Sequence, residues 1–67
     1  MDVHDRLARN LRRLRQDKGW SQEELAFRSE IHRTYVSDLE RSRRNPSIEI
    51  IEKIAQGLGV KLGELLD

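Results

Sequence analysis

Residues 21–45, SQEELAFRSEIHRTYVSDLERSRRN, constrain this chain more than any other stretch. Ser21, Gln22, Glu23 and Glu24 form a capping box: serine sits at the N-cap and glutamate at N3, each able to bond the other's backbone N–H. Leu25 and Ala26 then face inward, and the small Ala26 lets another helix cross closely. This helix is predicted to stop near Arg28 or Ser29. Ser29, Glu30 and Ile31 make a turn, with Ile31 pinned to the core. A second short helix is predicted over residues 33–41, with His32 near its N-cap. Its buried stripe is only Val36 and Leu39, at i and i+3. Two helices this short cannot cover their own apolar faces, so the rest of the chain reads as scaffold around them.

The scaffold reads as three more helices. Leu7, Leu11 and Leu14, with Ala8 beside them, mark one face of a helix over Val3–Asp17. Asp2 caps its start and Gly19 ends it. Trp20 follows as an apolar plug. Pro46 disfavours helix at Asn45. Ser47 then caps a helix whose core face is expected to be Ile48, Ile51, Ile54, Ala55 and Leu58, weakened by Gly57 and ended by Gly59. A last piece, residues 62–66, has Lys61 where serine or aspartate would cap better, and it contains Gly63. It is expected to fray unless a partner covers Leu62, Leu65 or Leu66. The prediction is an all-α fold, a compact five-helix domain occupying residues 1–67 without repeat, linker or low-complexity segment.

Several function classes drop out. A chain of 67 residues makes one domain with a modest core. It has no cysteine, hence neither disulfides nor a thiolate metal site. His4 and His32 lack metal-ligand spacing, so no metal or other cofactor is expected. No apolar run approaches the roughly 20 residues that cross a bilayer, and no apolar block follows the basic N-terminus as in a signal peptide. A cytoplasmic protein is expected, with no membrane partner and no small-molecule ligand. No serine–histidine–acid set has meaningful spacing, and Glu23 and Glu24 leave a helix about 100° apart. An enzyme is not expected.

The net charge is only +1, but it is unevenly spread. The first 45 residues carry 11 basic and 8 acidic side chains, whereas the last 22 carry 2 and 4. A basic front and an acidic back would orient the molecule toward a polyanion; the plainer alternative is that charge simply solvates a small domain. Arg33, Arg41, Arg43 and Arg44 fall within twelve residues. Arg33, Thr34, Ser37 and Asp38 project from the apolar stripe, with Tyr35 at its edge. An arginine fork can bond guanine O6 and N7 together, and threonine offers a hydroxyl to a base or a methyl to thymine. Tyr35 is either a base contact or a half-buried packing residue. Asp38 either accepts from cytosine or holds Arg33 or Arg41 in place, the second being favoured. Arg9, Arg12 and Arg13 read better as a solvated helix face than as backbone contacts.

Gln22, Ala26, Val36 and Leu39 fall at the spacings of the Cro and lambda-repressor type helix-turn-helix. The chain resembles that family, the XRE family, across roughly residues 5–66. The runs GWSQEELA from Gly19 and RTYVSDLER from Arg33 are similar to restriction–modification controller proteins and small phage-type repressors. The resemblance implies a dimeric DNA-binding regulator of transcription acting at inverted-repeat operators. It implies base contacts from Arg33, Thr34, Tyr35 and Ser37. It implies phosphate or backbone contacts from Gln22, Arg41, Arg43, Arg44 and Asn45. It also implies a structural ion pair between Arg15 and Glu40. Two positions depart from the pattern. Glu30 stands where glycine is usual, at a site that tends to positive φ, and His32 stands where a better cap is common. His32 is read as a weak cap, in preference to a phosphate-facing cation.

The function expected is sequence-specific binding of double-stranded DNA by a homodimer. Ile50, Leu62, Leu65 and Leu66 supply the dimer interface, unless these leucines all close the monomer core. The rival is an antitoxin or adaptor, a protein-interaction module on the same fold. It is disfavoured because such proteins often carry an added segment, and the sequence stops at Asp67 right after the fold.

Overall fold

The computed structural model describes residues 2–67, and among them it contains five helices and no strand. They are α1 (Val3–Asp17), α2 (Gln22–Ser29), α3 (Arg33–Glu40), α4 (Ile48–Leu58) and α5 (Leu62–Leu66). The first four begin with a side chain that accepts from an orphan backbone N–H. Asp2 accepts from Asp5, Ser21 from Glu24, His32 from Thr34 and Ser47 from Ile50. His32 caps through Nδ1, 3.0 Å from the Thr34 nitrogen, which fixes that nitrogen as an acceptor. The capping box predicted at Ser21 is only half formed. Glu24 turns its carboxylate to Arg28 Nε at 2.7 Å, a pairing along one helix face.

The first four helices also end alike. At each C-terminus one residue takes the left-handed conformation, and two backbone bonds close behind it. Behind α1 they run from Gly19 to the Gln16 carbonyl and from Trp20 to that of Arg15; behind α2, from Glu30 to Phe27 and from Ile31 to Ala26. Behind α3 they run from Ser42 to Leu39 and from Arg43 to Asp38; behind α4, from Gly59 to Gln56 and from Val60 to Ala55. Gly19 and Gly59 do this without a Cβ penalty, but Glu30 and Ser42, both at φ 58°, do not. Glu30 is therefore left-handed despite not being glycine, and the usual turn between α2 and α3 is kept. In three of the four caps the following residue is apolar (Trp20, Ile31 or Val60), and each packs on the core.

That core is made by Leu7, Leu11, Leu25, Ala26, Val36, Leu39, Ile51, Ile54, Ala55, Leu58 and Leu65. Gly57 has a tighter role than weakening α4. A Cβ there would lie 2.5 Å from Ser29 Oγ and 3.0 Å from the Arg28 carbonyl oxygen, so glycine lets α4 cross the end of α2 closely. Two sequence expectations are corrected. Ile48 is not a core residue: it is 59% exposed, because the core face of α4 begins only at Ile51. Leu65 is wholly buried by its own chain, since α5 packs along α1 and Asn10 Nδ2 donates to the Leu65 carbonyl at 2.9 Å. It has no surface to give a second copy. Glu64 accepts from the Lys61 N–H at 2.8 Å, so the start of α5 is capped from inside the helix. No helix among the described residues is long and apolar enough to cross a membrane.

Candidate nucleic-acid interface

Helix α3 is a thin-cored helix with one solvent edge. Val36 and Leu39 hold it to the core, while Arg33, Thr34 and Arg41 are exposed and Ser37 and Asp38 are half-buried. With Gln22 from the start of α2, these five line one open cleft of about 300 Å³. The cleft is polar because α3 spends its only apolar stripe on the core. Arg33, Arg41 and the neighbouring Arg43 form no ion pair or side-chain hydrogen bond among the described residues.

Glu40, at the end of α3, faces the other way and is 3% exposed. Its carboxylate accepts from Arg15 Nε at 2.6 Å, from Arg15 Nη2 at 3.0 Å and from Gln22 Nε2 at 3.0 Å. Arg15 Nη1 donates onward to the Trp20 carbonyl at 2.8 Å. Arg12 Nη2 donates to the Glu40 backbone carbonyl at 2.7 Å, one of the orphan acceptors at the helix end. Arg12 makes this bond while staying on the solvated face expected of it, its side chain 52% exposed. One buried acid thus fixes the end of α3 against α1 and the start of α2. Gln22, read from sequence as a phosphate contact, has half of its amide committed to this network.

The loop after α3 is held by contacts that no local pattern announces. Ser42 Oγ donates to Asp5 Oδ1 at 2.9 Å, and His4 Nε2 lies 2.9 Å from Asn45 Oδ1. Both tie the loop to the first turn of α1. That turn is capped by Asp2, whose carboxyl is held below its ordinary value by the hydrogen bond from the Asp5 backbone N–H. Arg43, Arg44 and Asn45 line a second hollow of about 270 Å³ here, with Asp2, His4, Asp5 and Ser42. Arg44 links this hollow to Asp38 of the α3 cleft. Its guanidinium lies 4.4 Å from the centre of the Tyr35 ring, and its Nη2 and Nε donate to Asp38 Oδ2 at 3.1 and 3.3 Å. Asp38 thus holds Arg44, not Arg33 or Arg41. Distance in sequence hid this contact: Arg44 lies beyond the helix, brought back by the left-handed turn at Ser42.

Of the interface candidates on the last third of the chain, Ile50, Leu62 and Leu66 remain half-buried at the surface and pack against the core.

Two short helices crossed through a left-handed turn, with an exposed polar edge on the second, define a helix-turn-helix protein. The chain belongs to the helix-turn-helix family of the Cro and lambda-repressor type, whose model matches residues 11–65. It is 57% identical over 47 residues to the control protein C.BamHI of Bacillus amyloliquefaciens, covering 70% of this chain and 58% of that protein. It is 51% identical over 65 residues to a hypothetical transcription factor of Neisseria meningitidis, covering 97% of this chain and 61% of that protein. The chain thus spans about three fifths of the length of these two relatives. Among solved structures, the restriction–modification controller protein C.AhdI of Aeromonas hydrophila superposes with a TM-score of 0.90 at 44% identity, covering 92% of this chain and 94% of that one.

Proposed function

We propose that residues 1–67 form a single DNA-binding domain of a transcriptional regulator that reads double-stranded DNA with α3 in the major groove. The observation that carries this is the division of charge on α3. Among the described residues, Arg33 and Arg41 are exposed and unpaired along the cleft edge, while both acids of the helix are paired, Glu40 buried on Arg15 and Asp38 on Arg44. Arg33, Thr34, Ser37 and Tyr35 are the base-contacting residues, with the arginine fork on guanine. Arg41 and Arg43 meet phosphates, joined by Gln22, Arg44 and Asn45. The relatives' designations as control protein and transcription factor support the same reading.

One α3 reads only a few base pairs, too few to find a site in a genome, so the working form is a homodimer on an inverted repeat. Ile50, Leu62 and Leu66 supply the self-complementary apolar surface, placing the two α3 helices about one DNA turn, ~34 Å, apart. No cofactor or small-molecule ligand enters this reading.

Selection of bound duplexes from a random pool tests it, followed by titration of the selected duplex at several salt concentrations. The expected outcome is an enriched inverted repeat whose log K falls by about 0.9 per log unit of salt for each phosphate neutralised. A pool that yields no enriched sequence sinks the reading.

A further inference from the structure

Among the described residues, Arg33, Arg41 and Arg43 have no side-chain partner, whereas Arg44 is held at two points. Arg44 is stacked on Tyr35, and two of its N–H groups fork onto one oxygen of Asp38. Among the described residues, Asp38 is the only acid lining the α3 cleft. Its position poses an electrostatic problem, because a carboxylate brought against DNA repels the phosphates unless something neutralises it. Arg44 neutralises it here, at the cost of cancelling one phosphate-binding charge.

We propose that Asp38 determines specificity by withholding Arg44 from indiscriminate phosphate contact. This rests on the DNA-binding reading above. On a random duplex Arg44 stays on Asp38, and the pair adds nothing to backbone affinity. On a matching duplex, the exocyclic amine of a cytosine or adenine at the α3 edge donates to Asp38 and takes Arg44's place. Arg44 then swings from Tyr35 to a phosphate, an exchange its partly exposed position allows (side chains 45% and 26% exposed for Arg44 and Asp38). Such a latch weakens binding where the base is wrong and leaves it intact where the base is right, which is how a repulsive element creates discrimination.

The test uses the full chain, Asp38→Asn, Arg44→Ala and the double variant, each titrated against the selected duplex and a random one across a salt series. Thermal melts verify that all four are folded; an exposed pair contributes little to stability. Asparagine keeps an acceptor for the amine but, without the carboxylate charge, holds Arg44 less tightly. Asp38→Asn is expected to tighten random-duplex binding about two- to fivefold and to steepen its salt slope by about 0.9. The selected duplex should change much less, so the ratio between the two falls. Arg44→Ala is expected to weaken the selected duplex more than the random one, since it removes a phosphate contact from the first and only the neutralisation of Asp38 from the second. In the Arg44→Ala background, Asp38→Asn should still relieve charge repulsion on the random duplex but should no longer steepen its salt slope, because no freed arginine reaches a phosphate.

A steepened salt slope that persists without Arg44 would overturn the latch, since it could not come from a freed arginine on a phosphate. Equal weakening of both duplexes by Arg44→Ala would overturn it too, while leaving the DNA reading intact. A parent chain that discriminates between no duplexes overturns the DNA reading and the latch with it.

Discussion

Arg15 and Glu40 meet as a two-pronged fork, Nε to Oε2 at 2.6 Å and Nη2 to Oε1 at 3.0 Å, joining α1 to the end of α3. The acid is nearly sealed from solvent, and its remaining capacity goes to Gln22. A buried pair of this kind is weak evidence of net stabilisation, because desolvation offsets much of the attraction. Its removal is another matter: one partner leaves the other charged, confined and unpaired.

Glu40→Gln and Arg15→Met are therefore expected to lower stability by roughly 3–5 kcal/mol, read as urea midpoints. A domain this small has about that much to lose. Midpoints equal to the parent's would mean that the fork does not hold α3 in place.

The close crossing of α2 and α4 gives an expectation opposite to helix propensity. Alanine should favour a helix interior over glycine by about 1 kcal/mol. Gly57→Ala is nevertheless expected to lower the melting temperature, because the new Cβ falls 2.5 Å from Ser29 Oγ. That hydroxyl is itself buried, with no hydrogen-bond partner among the described residues. Ser29→Ala should thus be neutral or stabilising by up to ~1 kcal/mol, and it should reduce the cost of Gly57→Ala when the two are combined. Strictly additive effects would contradict the contact.

How the elements start was legible because caps are local. Asp2, Ser21 and Ser47 announce α1, α2 and α4, and each lies at the observed N-cap. The apolar period gave the core face of α1 and the thin stripe of α3. What the sequence hid is contact between residues far apart in the chain. Neither Arg12 on the Glu40 carbonyl, Ser42 on Asp5, nor His4 on Asn45 follows from any periodicity. The Arg15–Glu40 pairing was suggested by family resemblance, not by the residues alone. Ile48 and Leu65 went astray for one reason: a helix end has too few turns for its period to say which residue is covered.

Glu30 and Ser42 share φ 58° but should respond differently to glycine. Glu30→Gly removes the Cβ strain without breaking any side-chain bond, and a gain of about 0.5–1 kcal/mol is expected. Ser42→Gly gains similarly but loses the hydrogen bond to Asp5, so little net change is expected. Melting temperatures of the two variants decide this; a larger gain at Ser42 than at Glu30 would contradict it.

Asp2 makes α1 acid-sensitive. Its folded pKa lies below its ordinary, unfolded value, chiefly through the backbone hydrogen bond from Asp5. The stability it contributes is complete above that unfolded value and is lost as pH falls through the lower folded one. Asp2→Asn keeps an acceptor at the cap but does not titrate. The difference in melting temperature between parent and Asp2→Asn is expected to be constant above pH 5 and to shrink toward pH 2. A difference that widens on acidification would have the wrong sign.

On the proposal that the exposed edge of α3 reads bases, Arg33 is its sharpest point. The most direct measurement compares parent and Arg33→Ala on a selected duplex and on a set in which each base pair is changed singly, at one fixed salt concentration. The parent is expected to discriminate by ~1–3 kcal/mol at the pair Arg33 meets. The variant should lose that preference at one position while keeping the others and its fold. A parent that binds every duplex in the set equally, or a variant weakened uniformly at all positions, would contradict the account.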